Sequence, residues 1–314
     1  MKTVALGSSA LVSSRLAYGC WRIAGPGESA ELTPEREAAG LQAVFAAYDA
    51  GYTLFDHADM YSHGLGETIF GKALQQVSGM RDRILIGTKC GILRKGDPTP
   101  DSPYRYDSSA AHIIASCEQS LARLGVDHVD IYQLHRPDYL MDPAEVARAF
   151  SQLKSSGKAR EFGVSNFHPS QVIALQKACP MLLIVNQVEI SAMHLNTFHD
   201  GTLDQCLAEK ITPLAWSPLA GGRLAATGPV DMHLPDHTRK LRMRETLDHI
   251  AHAREISRPV VALAWLLSHP AGIVPIVGST NPARIAEMAR AGEIELSRDE
   301  WYRIMEAGQG HRLP

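Results

Sequence analysis

The amino-acid sequence predicts an α/β protein built as a (β/α)8 TIM barrel, with an N-terminal β-hairpin capping the barrel bottom and long loops on the C-terminal face. Short apolar, β-branched runs recur eight times from end to end, and the segments between them carry helical periodicity. Such alternation over the whole chain calls for a parallel sheet, and eight units favour a closed barrel over an open sheet. No internal repeat, low-complexity linker or charge run divides the chain, so residues 1–314 read as one domain.

The expected strands are 16–19, 52–55, 84–87, 129–134, 161–164, 182–186, 212–215 and 274–277. Residues 1–14 precede the first of them and read as a small hairpin, 4–6 and 11–12, turning at Gly7-Ser8. Between the strands, 35–50 carries Ala38, Leu41, Phe45 and Tyr48 at helical spacing behind a Thr33-Pro34 start. In 109–124 the stripe is Ile113, Cys117, Leu121 and Leu124, closed by Gly125. Helices follow at 143–156 and 169–178, with two stretches in 246–268 separated at Arg258-Pro259. The segments 90–108, 190–202 and 219–245 are too long for simple turns. Loops of that length on the carboxyl face of a barrel build ligand sites.

The 45% hydrophobic content is ample for one large core. A net charge of -3 with no long basic run gives no footing for nucleic acid or an anionic membrane. No apolar run reaches the ~18 residues of a membrane span. Five scattered cysteines without a C-x-x-C read as reduced thiols in a cytoplasmic protein. The first 20 residues are too interrupted by Gly7, Ser8, Ser9, Ser13, Ser14 and Arg15 to be a leader. No H-x-H or H-E-x-x-H supports a metal site; His57, Asp59, His249 and His252 read as surface or capping residues. A monomer or weak homo-oligomer is expected.

The chemistry concentrates in Asp56, Tyr61, Lys89 and His135. Three of these end apolar runs, TLF, ILIGT and VDIYQL, and Tyr61 follows Asp56 in FDHADMY. Parallel strands in a barrel bring such ends to one face. There a lysine ammonium lowers a tyrosine pKa, a carboxylate holds the lysine, and a histidine polarises a substrate carbonyl. Tyr61 then gives a proton as a hydride reaches carbon. None of the four is a redox group, so a cofactor is required. A Rossmann glycine motif is absent, and the nicotinamide must bind on the barrel itself.

Later strand ends suit that task. Ser165, Asn166 and Gln187 carry hydroxyl and amide groups that match a carboxamide. Trp216-Ser217 offers an indole for stacking. The loop through Leu219, Gly221 and Arg223 supplies a cation, and Gly278-Ser279-Thr280 leads into a helix start with Arg284 in its first turn, which suits phosphate and a 2′-phosphate. Trp21, Arg22, Tyr104, Tyr106, Met193 and His194 are expected around the mouth.

Together, FDHADMY, GTK, YQLHRPD, GKAREFGVSNF, NQVEIS, AWSPLAGGRL and PIVGSTNPARI, in order along the chain, resemble the aldo-keto reductase superfamily. YGCWRI, HRPD and GTLDQ are similar to its bacterial YdhF-type branch. The resemblance implies an NADPH-dependent carbonyl reductase acting on an aldehyde or ketone, with Tyr61 as acid, carboxamide contacts by Ser165, Asn166 and Gln187, and stacking by residue 216. It departs at Trp216, where much of the superfamily has Tyr or Phe. Gly278 replaces a common lysine, and Met288 stands for an asparagine beside the retained Glu287. Arg284 is then the main cation for NADP, with NAD the lesser cofactor. The resemblance leaves a second class open, NADP-binding regulatory or sensor proteins akin to channel β-subunits.

Overall fold

In the computed structural model, residues 1–25, 31–228, 230 and 236–313 are described; positions 229 and 231–235 of the long 219–245 segment lie outside them. The N-terminal hairpin pairs β1 (Thr3–Ala5) with β2 (Val12–Ser14). Eight parallel strands then close a barrel: β3 (Ala17–Gly19), β4 (Leu54–Asp56), β5 (Leu85–Cys90), β8 (Val129–Leu134), β9 (Ala159–Ser165), β10 (Leu183–Glu189), β11 (Thr212–Trp216) and β12 (Val274–Val277). Closure is made by β12 on β3, with Ile276 opposite Ala17. A two-stranded hairpin, β6 (Ile92–Leu93) and β7 (Arg105–Tyr106), lies within the expected 90–108 loop.

Five strands run further than their apolar segments. Asp56, Lys89, Ser165, Gln187 and Trp216 each lie within a strand rather than after one. The reason is pairing: Lys89 sits opposite Gln133 and Gln187 opposite Ser165, so the ladder continues through polar residues that composition alone marks as loop.

Helices α1 (Pro34–Asp49), α2 (Leu65–Gln76), α3 (Ala110–Leu124), α4 (Pro143–Ser155), α5 (Pro169–Ala178), α6 (Thr202–Glu209), α7 (His237–Ala253), α8 (Arg258–Leu267), α9 (Pro282–Ala289) and α10 (Arg298–Gln309) complete the chain. The Thr33, Ser109, Asp142 and Asn281 side chains each accept a first-turn backbone N–H, which satisfies a donor the helix leaves open. Arg258-Pro259 opens α8 instead of separating two stretches, because proline is at ease in a helix's first turn. Helix α10, not among the expected elements, starts on a reciprocal Ser297–Glu300 cap and packs against α7.

The hairpin plugs the barrel bottom. Leu6 and Leu11 pack with Leu54, Ile131, Leu214 and Val274, which closes that end and leaves the carboxyl face to hold ligands. Glycine is needed where β9 meets β10: a Cβ on Gly163 would stand 2.7 Å from the Val185 carbonyl oxygen and 2.3 Å from its Cγ2. Gly163→Ala should therefore destabilise the fold by about 1–3 kcal/mol, read as a lowered urea midpoint with an unchanged slope.

Candidate active site

Lys89 is fully buried. Its ammonium donates to Asp56 Oδ1 at 2.7 Å, Asp56 Oδ2 at 2.8 Å and the His57 carbonyl at 2.7 Å. These acceptors answer the cost of burying a cation. Burial still draws the Lys89 pKa below its usual range, with Asp56 opposing the shift. On the far side of Asp56, Gln187 Nε2 donates to Oδ1 at 2.7 Å.

Tyr61 lies on the turn that joins β4 to α2. Ser62, His63 and Gly64 follow it in the left-handed region, at φ 46°, 56° and 84°, a strained run that other contacts must hold. Arg94 helps by donating to the Met60 carbonyl at 2.6 Å. The Tyr61 ring meets His135 edge-on with centroids 5.8 Å apart, and Lys89 Nζ stands 5.2 Å from its centre. Phenol, ammonium, carboxylate and imidazole thus share one pocket at the ends of β4, β5 and β8.

The electrostatics differ from expectation in one respect. The Tyr61 pKa is pushed well above 10, first by burial and then by the Asp56 charge, rather than lowered by Lys89. Asp56 lies against Lys89, bonding its ammonium through both carboxylate oxygens. The ring is consequently a firmly protonated donor. His135 is held neutral, because burial, Lys89 and Arg136 all disfavour its charged form. Its Nδ1 is buried without a partner among the described residues.

A continuous run of hydrogen bonds crosses the mouth. Trp216 Nε1 donates to Asn166 Oδ1 at 2.9 Å, Asn166 Nδ2 to Ser165 Oγ at 2.8 Å, and Ser165 Oγ to the Gln187 carbonyl at 2.8 Å. Gln187 then reaches Asp56, and Asp56 reaches Lys89. Asn166, at φ 62°, also donates to the His135 carbonyl at 3.3 Å. The Asn166 and Gln187 amide groups, expected to face a carboxamide, also bond Trp216 and Asp56.

The remaining expected residues surround this centre. Trp21 is exposed beside β3, with the Arg22 guanidinium 5.1 Å from its ring centre. Tyr104 and Tyr106 pair edge to face on the β6–β7 hairpin. Met193 is buried, and His194 lies 3.7 Å from Glu189. Ser217 and Leu219 are part-buried and Gly221, Arg223, Gly278 and Thr280 exposed after β11 and β12, while Ser279 Oγ accepts from Asn281 N. Arg284 is exposed and Glu287 part-buried on α9.

Three features escaped the sequence reading. His57 is neither a surface nor a capping residue: it is fully buried against Phe70, with both ring nitrogens unpartnered and its pKa lowered to about 3 by burial. Asp59 is part-buried after β4, its backbone N–H donating to the Lys89 carbonyl at 2.9 Å. Ser116 donates to its Oδ2, while its Oδ1 has no partner. Nearby, Glu67 accepts from Thr88 at 2.6 Å and from Arg123 at 2.7 Å. Arg136, directly after His135, stands 5.8 Å from the centre of the Trp216 ring. The only signal for it was a charged residue following a strand end. All five cysteines are free and buried, and among the described residues no cluster of His, Cys, Asp and Glu could hold a metal. No described helix is long and apolar enough to cross a membrane.

A closed parallel barrel carrying these groups at its carboxyl face defines an enzyme of the (β/α)8 class. The chain belongs to the Aldo/keto reductase family, whose pattern it matches over residues 15–309. It is similar to a 6-dehydroglucose reductase of Novosphingobium aromaticivorans, 42% identical over 98% of this chain and 96% of the relative. It is also similar to the oxidoreductase YdhF of Escherichia coli, 38% identical over 96% and 95%. A solved structure, a glycerol dehydrogenase from Gluconobacter oxydans, superposes with a TM-score of 0.87 at 25% identity, covering 98% of this chain and 95% of its own. The chain is thus an oxidoreductase of a carbonyl-reducing family that uses a nicotinamide cofactor.

The residues present fit such a group. A Cβ on Gly221, Gly222 or Gly278 would meet nothing within 4 Å, so open space lies beside the loops after β11 and β12. Among the described residues, neither Arg223 nor Arg284 has a carboxylate partner. Free guanidinium groups beside open backbone suit an anionic dinucleotide.

Burial pushes the Asp59 carboxyl up to about 7. In the unfolded chain it titrates near pH 4. A raised carboxyl pKa costs stability as pH rises between those values, and the cost is complete above the folded value. Asp59→Asn should therefore gain stability relative to the parent protein by roughly 2–4 kcal/mol between pH 4 and 8, measured by urea unfolding at both ends.

Proposed function

We propose that this chain, acting as one 1–314 barrel domain, is an NADP(H)-dependent reductase of an aldehyde or ketone, with Tyr61 as proton donor. The observation that carries this reading is Tyr61 seated between buried Lys89 and neutral His135, with Asp56 fixing the lysine. When bound, the nicotinamide supplies the hydride. His135, kept uncharged, donates a hydrogen bond to the carbonyl oxygen and sets its angle. Tyr61 transfers its phenolic proton to that oxygen as negative charge builds there. Lys89 lies close enough to stabilise the phenolate that remains, and Asp56 with Gln187 keeps the ammonium in place. Neutral His135 with a protonated phenol suits reduction better than a pair already ionised.

For the cofactor, we assign Trp216 to the nicotinamide face and Ser165, Asn166 and Gln187 to its carboxamide side. Trp21, Ser217, Leu219, Gly221 and Arg223 are assigned along the dinucleotide. Gly278, Ser279, Thr280, Arg284 and Glu287 take the adenosine end. Arg284, exposed in the first turn of α9 and unpaired among the described residues, supports NADP over NAD. The name of the Novosphingobium relative supports a sugar-type carbonyl substrate.

Tyr61→Phe should keep NADPH binding and lose carbonyl reduction by about 10²–10⁴, followed through NADPH absorbance with a panel of aldehydes and ketones. Parent-like turnover in that variant defeats the mechanism. Tight cofactor binding with negligible turnover of every carbonyl by the parent protein favours a sensor instead. Arg284→Ala should weaken NADPH at least about 10-fold more than NADH; an equal loss for both removes the 2′-phosphate assignment.

A further inference from the structure

Among the described residues, Arg136 has no protein acceptor for its donors. Among the described residues its guanidinium makes neither an ion pair nor a hydrogen bond, although it is half-buried. Its nearest carboxylate in sequence, Asp138, is committed elsewhere: Oδ2 accepts from Ser108 N and Oδ1 from Leu140 N, both at 2.9 Å. That pairing ties the segment after β8 to the end of the β6–β7 hairpin, and among the described residues Asp138 makes no ion pair with Arg136. The charge of Arg136 is met by the Trp216 ring, 5.8 Å from its carbon centre, a separation at which a cation is attracted to an indole. The ring is itself fixed by its bond to Asn166. What remains unanswered among the described residues is a planar set of N–H donors beside the Trp216 ring.

Their position relative to the chemistry follows from the neighbours of Arg136: it stands over the Trp216 ring, which bonds to Asn166, and Asn166 bonds in turn to the His135 carbonyl. Arg136 is adjacent to His135 in sequence, and its charge acts on both the His135 ring and the Tyr61 phenol. It therefore borders the place where a carbonyl held by those two side chains must lie. We propose that Arg136 selects the substrate, donating hydrogen bonds to a hydroxyl oxygen carried on the carbon beside the reacting carbonyl, so that the preferred substrates are hydroxylated aldehydes. This rests on the carbonyl-reductase reading above. A neutral oxygen is favoured over an anion because the indole face already answers the charge while the donors stay free. The same indole presents an apolar surface to the C–H face of a polyol.

The test compares glycolaldehyde with propanal, which replaces the hydroxyl by a methyl group, and with succinate semialdehyde as an anionic probe. The parent protein should favour glycolaldehyde over propanal in kcat/KM. In Arg136→Met that preference should fall by about 10- to 100-fold, the scale of a hydrogen bond from a charged donor. The loss should appear mainly in KM, and Arg136→Lys should restore part of it. An equal loss for glycolaldehyde and propanal overturns the proposal, since it assigns Arg136 to the reaction step itself. A larger loss for succinate semialdehyde overturns it in favour of an anion site. A second readout needs no turnover: saturation-transfer NMR of erythritol on the parent protein with NADPH. Weaker transfer in Arg136→Met supports the proposal even where no aldehyde is reduced and the reductase reading fails. Equal transfer overturns it.

Discussion

The buried pair of Lys89 and Asp56 is the constraint around which the carboxyl face is arranged. An ammonium with no access to water is tolerated only with acceptors at bonding distance. Two come from one carboxylate and one from a peptide group. Asp56 in turn needs its own orientation, which Gln187 supplies from across the barrel. β4, β5 and β10 are therefore coupled through a handful of polar atoms in a lumen that the hairpin seals with leucine below. The site is rigid because its parts are each other's partners, from the indole of Trp216 through Asn166, Ser165 and Gln187 to the lysine.

That arrangement also separates the groups by ionisation. Burial and the Asp56 charge keep the phenol protonated, while burial and the Lys89 and Arg136 charges keep the imidazole neutral. A cluster containing four titratable side chains thus presents to the pocket mainly neutral donors, with its charges satisfied one layer deeper. Arg136 is the exception, a permanent cation at the rim with no ion pair among the described residues, while nearby Asp138 accepts backbone N–H groups of Ser108 and Leu140.

Much of this was legible in the sequence. Eight apolar runs gave the barrel, since each strand is buried on both sides and must be apolar along most of its length. Asp56, Lys89 and His135 were legible because polar residues ending such runs have a common destination. The detail was not. Where β5 ends depends on Lys89 and Cys90 finding Gln133 and Leu134 opposite them, which is a property of the neighbouring strand. The direction of the Tyr61 shift is set first by how deeply the phenol is buried and then by the nearness of the Asp56 charge, and no spacing encodes either. His57 looked like an exposed flank because histidine usually is one. Its burial against Phe70 follows from the packing of α2. Arg136 escaped because one arginine in a polar loop is commonplace until its carboxylate neighbour is seen to be occupied.

The third acceptor of Lys89 is the carbonyl of residue 57, and Ser165 likewise donates to the carbonyl of residue 187. Main-chain groups are present whatever side chain a codon specifies. Part of the lysine's surroundings is consequently beyond the reach of substitution and changes only if the strands themselves move. The chain can exchange many residues around its mouth, and with them its choice of substrate, while the barrel keeps hold of the lysine.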